Sequence, residues 1–318
     1  MGSGEAWRVT AWTPDKLLEG FETAGLKFAD DYEGKVWATL VRKAAAPRAL
    51  HGSPAPKVML YVHGFVDYFF QKHVAERFIA EGWRFYALDL RKYGRSMSPH
   101  QRPNFCHSLD EYFADITSAI DRIVAEEGAG RLALMGHSTG GLTCSLYADC
   151  GERRDRLSAL VLNSPFFEFR APASRRHELA IACALGRWFP YMNNPKAVLP
   201  AYGKSLHKDH GGEWDYDLRL KPINGFPAYF GWLRAVRDGH RKVQGKLDIR
   251  CPVLSMHSDE SDIVLDWHHI ARFSPRMGGN VEVMQFPGAL HDLTLSRAAV
   301  REKVFEKMFG WLRGHAAS

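Results

Sequence analysis

No apolar run in this 318-residue sequence approaches the roughly 18 residues a helix needs to cross a bilayer, so no membrane span is expected and the chain reads as soluble. The opening "MGSGEAWRVTAW" has neither the basic patch nor the apolar stretch of a secretion signal. Ala6 stands where an N-myristoylation pattern wants Ser or Thr. Cysteine is scarce: Cys106, Cys144, Cys150, Cys183 and Cys251 are odd in number and contain no C-x-x-C spacing. That argues against a disulfide framework and for a reduced, cytoplasmic compartment, with the thiols as small core residues. Charge of one sign is lacking too. The excess of 42 basic over 36 acidic residues, a net +6, forms no long run or stripe, so nucleic acid is not an expected partner. There are no internal repeats, and low complexity is confined to a short Ala/Pro-containing linker at 44–56.

What the sequence does hold is an alternation of short strands and longer helices. Strands are expected at 35–43, 57–64, 83–90, 131–138, 157–164, 251–258 and 281–288, most of them apolar on both faces from residue 57 onward. Two-sided apolar strands are what a parallel sheet covered by helices requires. The clearest helix follows Ser108, where "SLDE" reads as a capping box, with Ser108 accepting from the Glu111 amide and Glu111 reaching back. Leu109, Tyr112, Phe113, Ile116, Ile120, Ile123 and Val124 then make one apolar stripe that Gly128 stops. The alternation predicts a doubly wound, mostly parallel α/β sheet. Between about 168 and 246 it breaks. Two helical stretches flank the polar loop "GKSLHKDHGGEWDYD", without a buried-strand pattern, and this predicts a helical insertion.

The chemistry concentrates where a strand meets a helix. Gly136-His137-Ser138-Thr139-Gly140 is a G-x-S-x-G between an apolar strand and a helix carrying Leu142, Leu146 and Tyr147. Such a turn forces the serine into a strained backbone, and the glycines remove side chains that would clash. The helix N-terminus aims free N–H groups at any anion that forms beside the hydroxyl. A serine needs a base, and the base needs an orienting carboxylate. His291, just past the strand in "VEVMQFPGALHD", sits on a loop after a late strand, as the base should; His257, His268, His269 and His315 fail on position. For the acid, "SMHSDESDIVLDWHHI" offers Asp259, Glu260, Asp262 and Asp266. Asp262 is favoured by its loop position, Asp259 is the runner-up, and Asp266 reads as a helix cap. The amides of Thr139 and of Phe65, which follows His63-Gly64, are the expected oxyanion donors.

Five pieces in order, "HGF" at 63–65, "DLRKYGRS" at 89–96, "GHSTGG" at 136–141, "SDIVLD" at 261–266 and "GALHD" at 288–292, resemble the α/β-hydrolase superfamily. More narrowly the chain resembles its monoacylglycerol lipase, lysophospholipase and S33-type serine aminopeptidase branch, over about residues 30 to 313. The resemblance implies an α/β-hydrolase core at 1–167 and 247–318. It also implies a cap at 168–246, inserted after the sixth core strand, and Asp262 as the acid. One departure is Phe65, where lipases of this branch often carry a smaller residue; it narrows the acyl site.

The implied activity is hydrolysis of carboxylic esters of small alcohols through an acyl-enzyme, without cofactor or metal. The triad would be Ser138, Asp262 and His291. Substrate contacts are assigned to His137, Tyr68, Phe166, Trp188 and Phe230, with the remaining cap aromatics as packing and a transient lipid-interface contact through the cap. Asp67-Tyr68 reads as a solvated turn or a head-group contact, and His207, Asp209 and His210 lack a further ligand for a metal. Three rivals use the same fold: an aminopeptidase, which needs a cap acid such as Glu178, Asp209, Glu213, Asp215 or Asp217; an acyltransferase; and a binding protein of low turnover. Dehalogenase chemistry is disfavoured because it uses a carboxylate where Ser138 stands. The oligomeric state is left open.

Overall fold

The computed structural model describes residues 10–44, 56–194 and 200–316. Most of the expected 44–56 linker, the N-terminal residues including Ala6, and part of the expected helical run at 195–199 lie outside the described residues. Eleven strands are present among the described residues: β1 (Thr13–Pro14), β2 (Phe21–Lys27), β3 (Trp37–Lys43), β4 (Lys57–Val62), β5 (Trp83–Asp89), β6 (Leu132–His137), β7 (Leu157–Asn163), β8 (Asn193–Asn194), β9 (Ala228–Tyr229), β10 (Val253–His257) and β11 (Val281–Gln285). The helices are α1 (Lys72–Ala80), α2 (Glu111–Glu127), α3 (Thr139–Cys150), α4 (Ala173–Leu185), α5 (Pro200–Leu206), α6 (Phe230–Gln244), α7 (Trp267–Phe273) and α8 (Ala298–His315). None is long and apolar enough to cross a membrane among the described residues.

Nine strands form one sheet in the order β1-β2-β3-β5-β4-β6-β7-β10-β11. From β5 to β11 every neighbour runs parallel, while β1, β2 and β3 add an antiparallel edge. Alternate side chains feed two separate cores, as the period of two in a strand demands. Val58, Leu60 and Val62 of β4, with Leu132 and Leu134 of β6, join the core under α2, α3 and α6. Met59, Tyr61, Ala133 and Met135 from the same strands face α1 and α8. The doubly wound α/β expectation holds.

Local departures have local reasons. Strand β2, "FETAGLK", went unread because its apolar residues are few, yet Phe21, Ala24 and Leu26 bury against the sheet. In the expected capping box Glu111 does reach back, accepting from the His107 and Ser108 amides at 2.7 and 3.2 Å. Ser108 Oγ accepts from the Asp110 amide at 3.2 Å instead of that of Glu111. Gly128 ends α2 at φ 65°, a left-handed conformation that suits glycine. Cys106, Cys144 and Cys183 are buried as expected, but Cys150 is exposed.

Counted from β2, the sixth core strand is β7, and α4, α5 and α6 follow it before β10. A short antiparallel β8–β9 ladder, absent from the expected pattern, ties Asn193 to Tyr229. Helix α6 is anchored in the main core: Trp232, Leu233, Ala235, Val236 and Val243 join the cluster of α2 and α3. Gly239 makes this possible, since a Cβ there would meet Leu109 Cδ1 at 2.8 Å and Leu146 Cδ1 at 3.2 Å.

The strand-to-helix turn after β6 is a tight crossing. A Cβ on Gly140 would fall 2.2 Å from the His63 carbonyl oxygen and 2.6 Å from that of Val62. We expect Gly140→Ala to cost about 3 kcal/mol or more from overpacking, outweighing the gain of up to about 1 kcal/mol that alanine brings to a helix. Gly130→Ala, with no atom within 4 Å of its Cβ position, should shift stability by about 0.5 kcal/mol or less. Urea unfolding midpoints check both, and an unchanged Gly140→Ala midpoint would contradict the crossing.

Candidate active site

Four parallel strands deliver the expected residues to one sheet edge: Phe65 after β4, Ser138 after β6, Asp262 after β10 and His291 after β11. Ser138 has φ 53° and ψ −118°, a region that a side chain makes costly by about 1–3 kcal/mol. The surroundings hold it there. Its amide donates to the Asn163 carbonyl at 3.0 Å, and its carbonyl accepts from the amides of Leu142 and Phe166 at 3.1 and 3.0 Å. Gly64 lies against it, and a Cβ on Gly64 would sit 3.1 Å from Ser138 Cβ. Gly136 is needed for the same reason, with the Gly140 carbonyl 2.6 Å from its Cβ position.

Ser138 Oγ and His291 Nε2 are 2.9 Å apart, and His291 Nδ1 is 2.9 Å from Asp262 Oδ2. All three side chains are buried. An ionised Asp262 accepts only, so Nδ1 carries the proton and Nε2 is free to accept from the serine hydroxyl. Burial pushes the Asp262 carboxyl up, but the adjacent His291 and the Leu265 and Val264 amides reverse this and hold it below the usual carboxylate value. Those amides donate to Oδ1 at 3.0 and 2.7 Å. Asp259 instead accepts from Gly288 and Ser261 amides, and Asp266 caps α7 by accepting from the His268 amide.

The loop after β4 carries the Phe65 amide. Among the described residues neither the Phe65 nor the Thr139 amide has a protein acceptor, leaving two donors beside Ser138. The Phe65 ring stacks on Trp232 of α6, centroids 4.0 Å apart. His63 serves the scaffold: its Nε2 accepts from the Leu90 amide at 3.1 Å, so Nδ1 bears the proton and donates to the Gly64 carbonyl at 2.8 Å. "DLRKYGRS" has the same use, because Asp89 accepts from the Phe69 amide at 2.8 Å and from Arg95.

The assigned substrate contacts divide. His137 is buried beneath the triad, its ring 4.9 Å from that of His291 and its Nδ1 3.1 Å from the Asn163 carbonyl. Phe166 and Phe230 are half-buried, Phe166 edge-on to Phe169 and His240. Tyr68 does not form a solvated turn. It is buried, and its hydroxyl accepts from the Asp217 amide at 2.8 Å. Asp67 is buried as well, paired with Lys221. Trp188 is 71% exposed, following α4 on the surface, so it lines no site in this structure. His207 and His210 stand with ring centroids 6.3 Å apart, and no cluster of three or more metal-ligating side chains occurs among the described residues.

Several residues around the site were missed. Asn163 donates to Asp292 Oδ1 at 2.7 Å and accepts from the Leu293 amide at 3.1 Å, tying β7 to the His291 loop. Tyr202 of α5 sets its ring edge-on to His291 at 5.5 Å and accepts from the Asp292 amide at 3.0 Å. Arg170 donates to the Asp262 carbonyl at 2.7 Å. Only the position of Asn163 at a strand end carried any signal, and strand ends are many.

The sequence model of the family described as Serine aminopeptidase, S33 matches residues 53–297. Epoxide hydrolase 4 of Mus musculus is 34% identical over 115 residues, 36% of this chain and 30% of the relative; the human protein of that name is 32% identical over 114 residues. The chain thus spans under a third of the curated relatives it matches. Among solved structures, a soluble variant of monoglyceride lipase from Saccharomyces cerevisiae superposes with a TM-score of 0.71 at 18% identity, covering 100% of both chains. The monoacylglycerol lipase of Paleococcus ferrophilus gives 0.62 at 22% identity over 82% of this chain and 96% of that one. A carboxyl esterase from Bacillus coagulans gives 0.68 at 15% over 93% and 99%. These likenesses show the α/β-hydrolase fold.

A depressed carboxyl adds stability that is complete above its unfolded pKa, about 3.9, and is lost as pH falls through the lower folded value. Asp262→Asn should therefore be less stable than the parent at pH 7, with the difference shrinking below about pH 4. It should also slow the labelling of Ser138 by a fluorophosphonate by on the order of 10³–10⁴, because the imidazole loses its tautomer lock. Denaturation against pH and mass-spectrometric labelling rates test the two; a pH-independent difference with undiminished labelling would refute the role of Asp262.

Proposed function

The chain belongs to the serine aminopeptidase S33 family, and from that premise we propose that it is a serine hydrolase cleaving carboxylic esters of small alcohols, glycerol among them, through an acyl-enzyme. One observation carries the reading: the 2.9 Å contacts from Ser138 to His291 and from His291 to Asp262 form an unbroken buried chain beside two unpaired amides. Ser138 Oγ attacks the acyl carbonyl while His291 Nε2 takes its proton, and Asp262 stabilises the imidazolium. The oxyanion accepts from the Phe65 and Thr139 amides, each worth about 3 kcal/mol at the transition state. Collapse expels the alcohol, protonated by His291. Water, deprotonated by the same nitrogen, then attacks the acyl-serine and frees the acid.

The surroundings favour an ester over a peptide. An aminopeptidase needs an unpaired carboxylate to hold the substrate ammonium. Glu178 on α4 and Asp209, 66% exposed, lie in water, where a carboxylate holds an ammonium only weakly. Asp215 pairs with Lys208, Asp217 with Arg219, and Glu213 lies 3.6 Å from Arg301. Epoxide opening is disfavoured on chemical grounds. Attack by a serine oxygen would leave an ether, which water does not cleave, whereas an acyl-serine is an ester.

The segment 168–246 serves as the cap in this reading. Ile181, Trp188, Phe189 and Met192 expose apolar surface there beside Arg175, Arg176 and Arg187, a pattern suited to brief contact with an anionic lipid interface.

Ser138→Ala should lower turnover of p-nitrophenyl esters by about 10⁵–10⁶-fold with an unchanged unfolding midpoint, and the parent should prefer these esters to aminoacyl p-nitroanilides. Retained turnover in the purified variant, or anilides cleaved faster than esters, would overturn the assignment.

A further inference from the structure

We propose that the buried Asp67–Lys221 ion pair is a positioning device for the Phe65 amide, so that the oxyanion site is complete only while the segment between α5 and α6 is seated on the core. The proposal rests on the reading of Ser138 as the acylated nucleophile.

The amides after β4 are tied down on either side of Phe65. Gly64 N–H donates to Asp67 Oδ2 at 3.4 Å, and Val66 N–H donates to Asn104 Oδ1 at 3.1 Å. The Phe65 amide between them is left without a protein acceptor. Val66, at φ 50°, adopts a left-handed conformation that a β-branched residue avoids, so something must hold it. Asn104 does so from one side: its Nδ2 donates to the Lys92 carbonyl at 3.2 Å and its amide donates there at 2.9 Å. Asp67 holds the other side, and its position depends on a residue from beyond α5.

Lys221 Nζ lies 2.7 Å from Asp67 Oδ1, with side-chain exposures of 11% and 2% for the lysine and the aspartate. A carboxylate so far from water needs a partner, or it draws in water and re-aims. The 3.4 Å contact to Gly64 is long for a hydrogen bond, so the full charge on Asp67 is what gives it strength. The rest of the segment seats beside it. Leu206 and Tyr216 pack with Tyr68 and Phe70 in one small core, and the Asp217 amide donates to Tyr68. The rings of Phe70 and Tyr216 flank the Lys221 ammonium at 5.6 and 5.8 Å. Lys208–Asp215, in the same segment, is a solvent-exposed ion pair.

Two variants are compared with the parent on p-nitrophenyl butyrate: Lys221→Met, which strands a buried charge, and the double variant Asp67→Asn/Lys221→Met, which removes both charges while preserving shape. Loosening one oxyanion donor, whose complete removal costs about 10²–10³ in kcat, should lower kcat by about 10- to 100-fold in each while KM stays within about twofold. A purely structural pair would instead lower kcat only in step with the folded fraction seen by circular dichroism. Should Lys221→Met fail to fold, the double variant decides. Parent-like kcat in the folded double variant, or a loss accounted for by unfolding, overturns the proposal. Lys208→Met should match the parent. If the parent itself turns over no ester and takes no fluorophosphonate at Ser138, the acyl-enzyme reading fails and this proposal falls with it.

Discussion

Everything at the Ser138 edge of the sheet depends on how closely three stretches of backbone cross. Strand β6, the first turn of α3 and the loop after β4 meet with no room for a methyl group at positions 136 and 140 and very little at 64. Because the main chains touch, Ser138 is pressed into its left-handed conformation and its hydroxyl stands clear of both strand and helix. The same crossing sets the Gly64–Phe65 peptide beside it. Strain at one serine is thus offset by burial across a whole sheet, which is how a folded domain can keep an unfavourable dihedral.

Carboxylates around this crossing divide the labour. Asp262 accepts from the His291 imidazole, Asp89 holds the Phe69 amide and Arg95, and Asp67 reaches Gly64 and Lys221. Asp292, like Asp262, is held by uncharged donors, here Asn163, Thr294 and Gln71. Burial pushes its acidity down, yet His137 and the hydrogen bonds from Thr294 and Asn163 more than compensate, so it titrates below the usual carboxylate value. The lowered carboxyls of Asp262 and Asp292 add stability at neutral pH that is lost on acidification.

Much of this was legible in the residues. Ser138 and His291 stand out because a strand-to-helix G-x-S-x-G and a post-strand histidine are local patterns, and the central strands are apolar on both faces. What stayed hidden was long-range. Strand β2 has too few apolar residues to stand out, and it forms because β3 offers a partner. Tyr68 and Asp67 looked like surface because nothing nearby reveals that Asp217 and Lys221 will cover them. Trp188 looked like a pocket wall because hydropathy alone does not say which way a ring faces. Asn163, Asn104 and Arg170 act through polar contacts to distant backbone, and no periodicity encodes those.

Helix α6 carries a last consequence. Its inward residues belong to the main core, so moving it would uncover Trp232, Leu233, Val236 and Val243. Yet Trp232, on that same helix, is the face against which the Phe65 ring rests. Under the proposed acyl-enzyme reading, that wall is a rigid stop against the width of an acyl chain, leaving adaptation to the chain's length to other parts of the site.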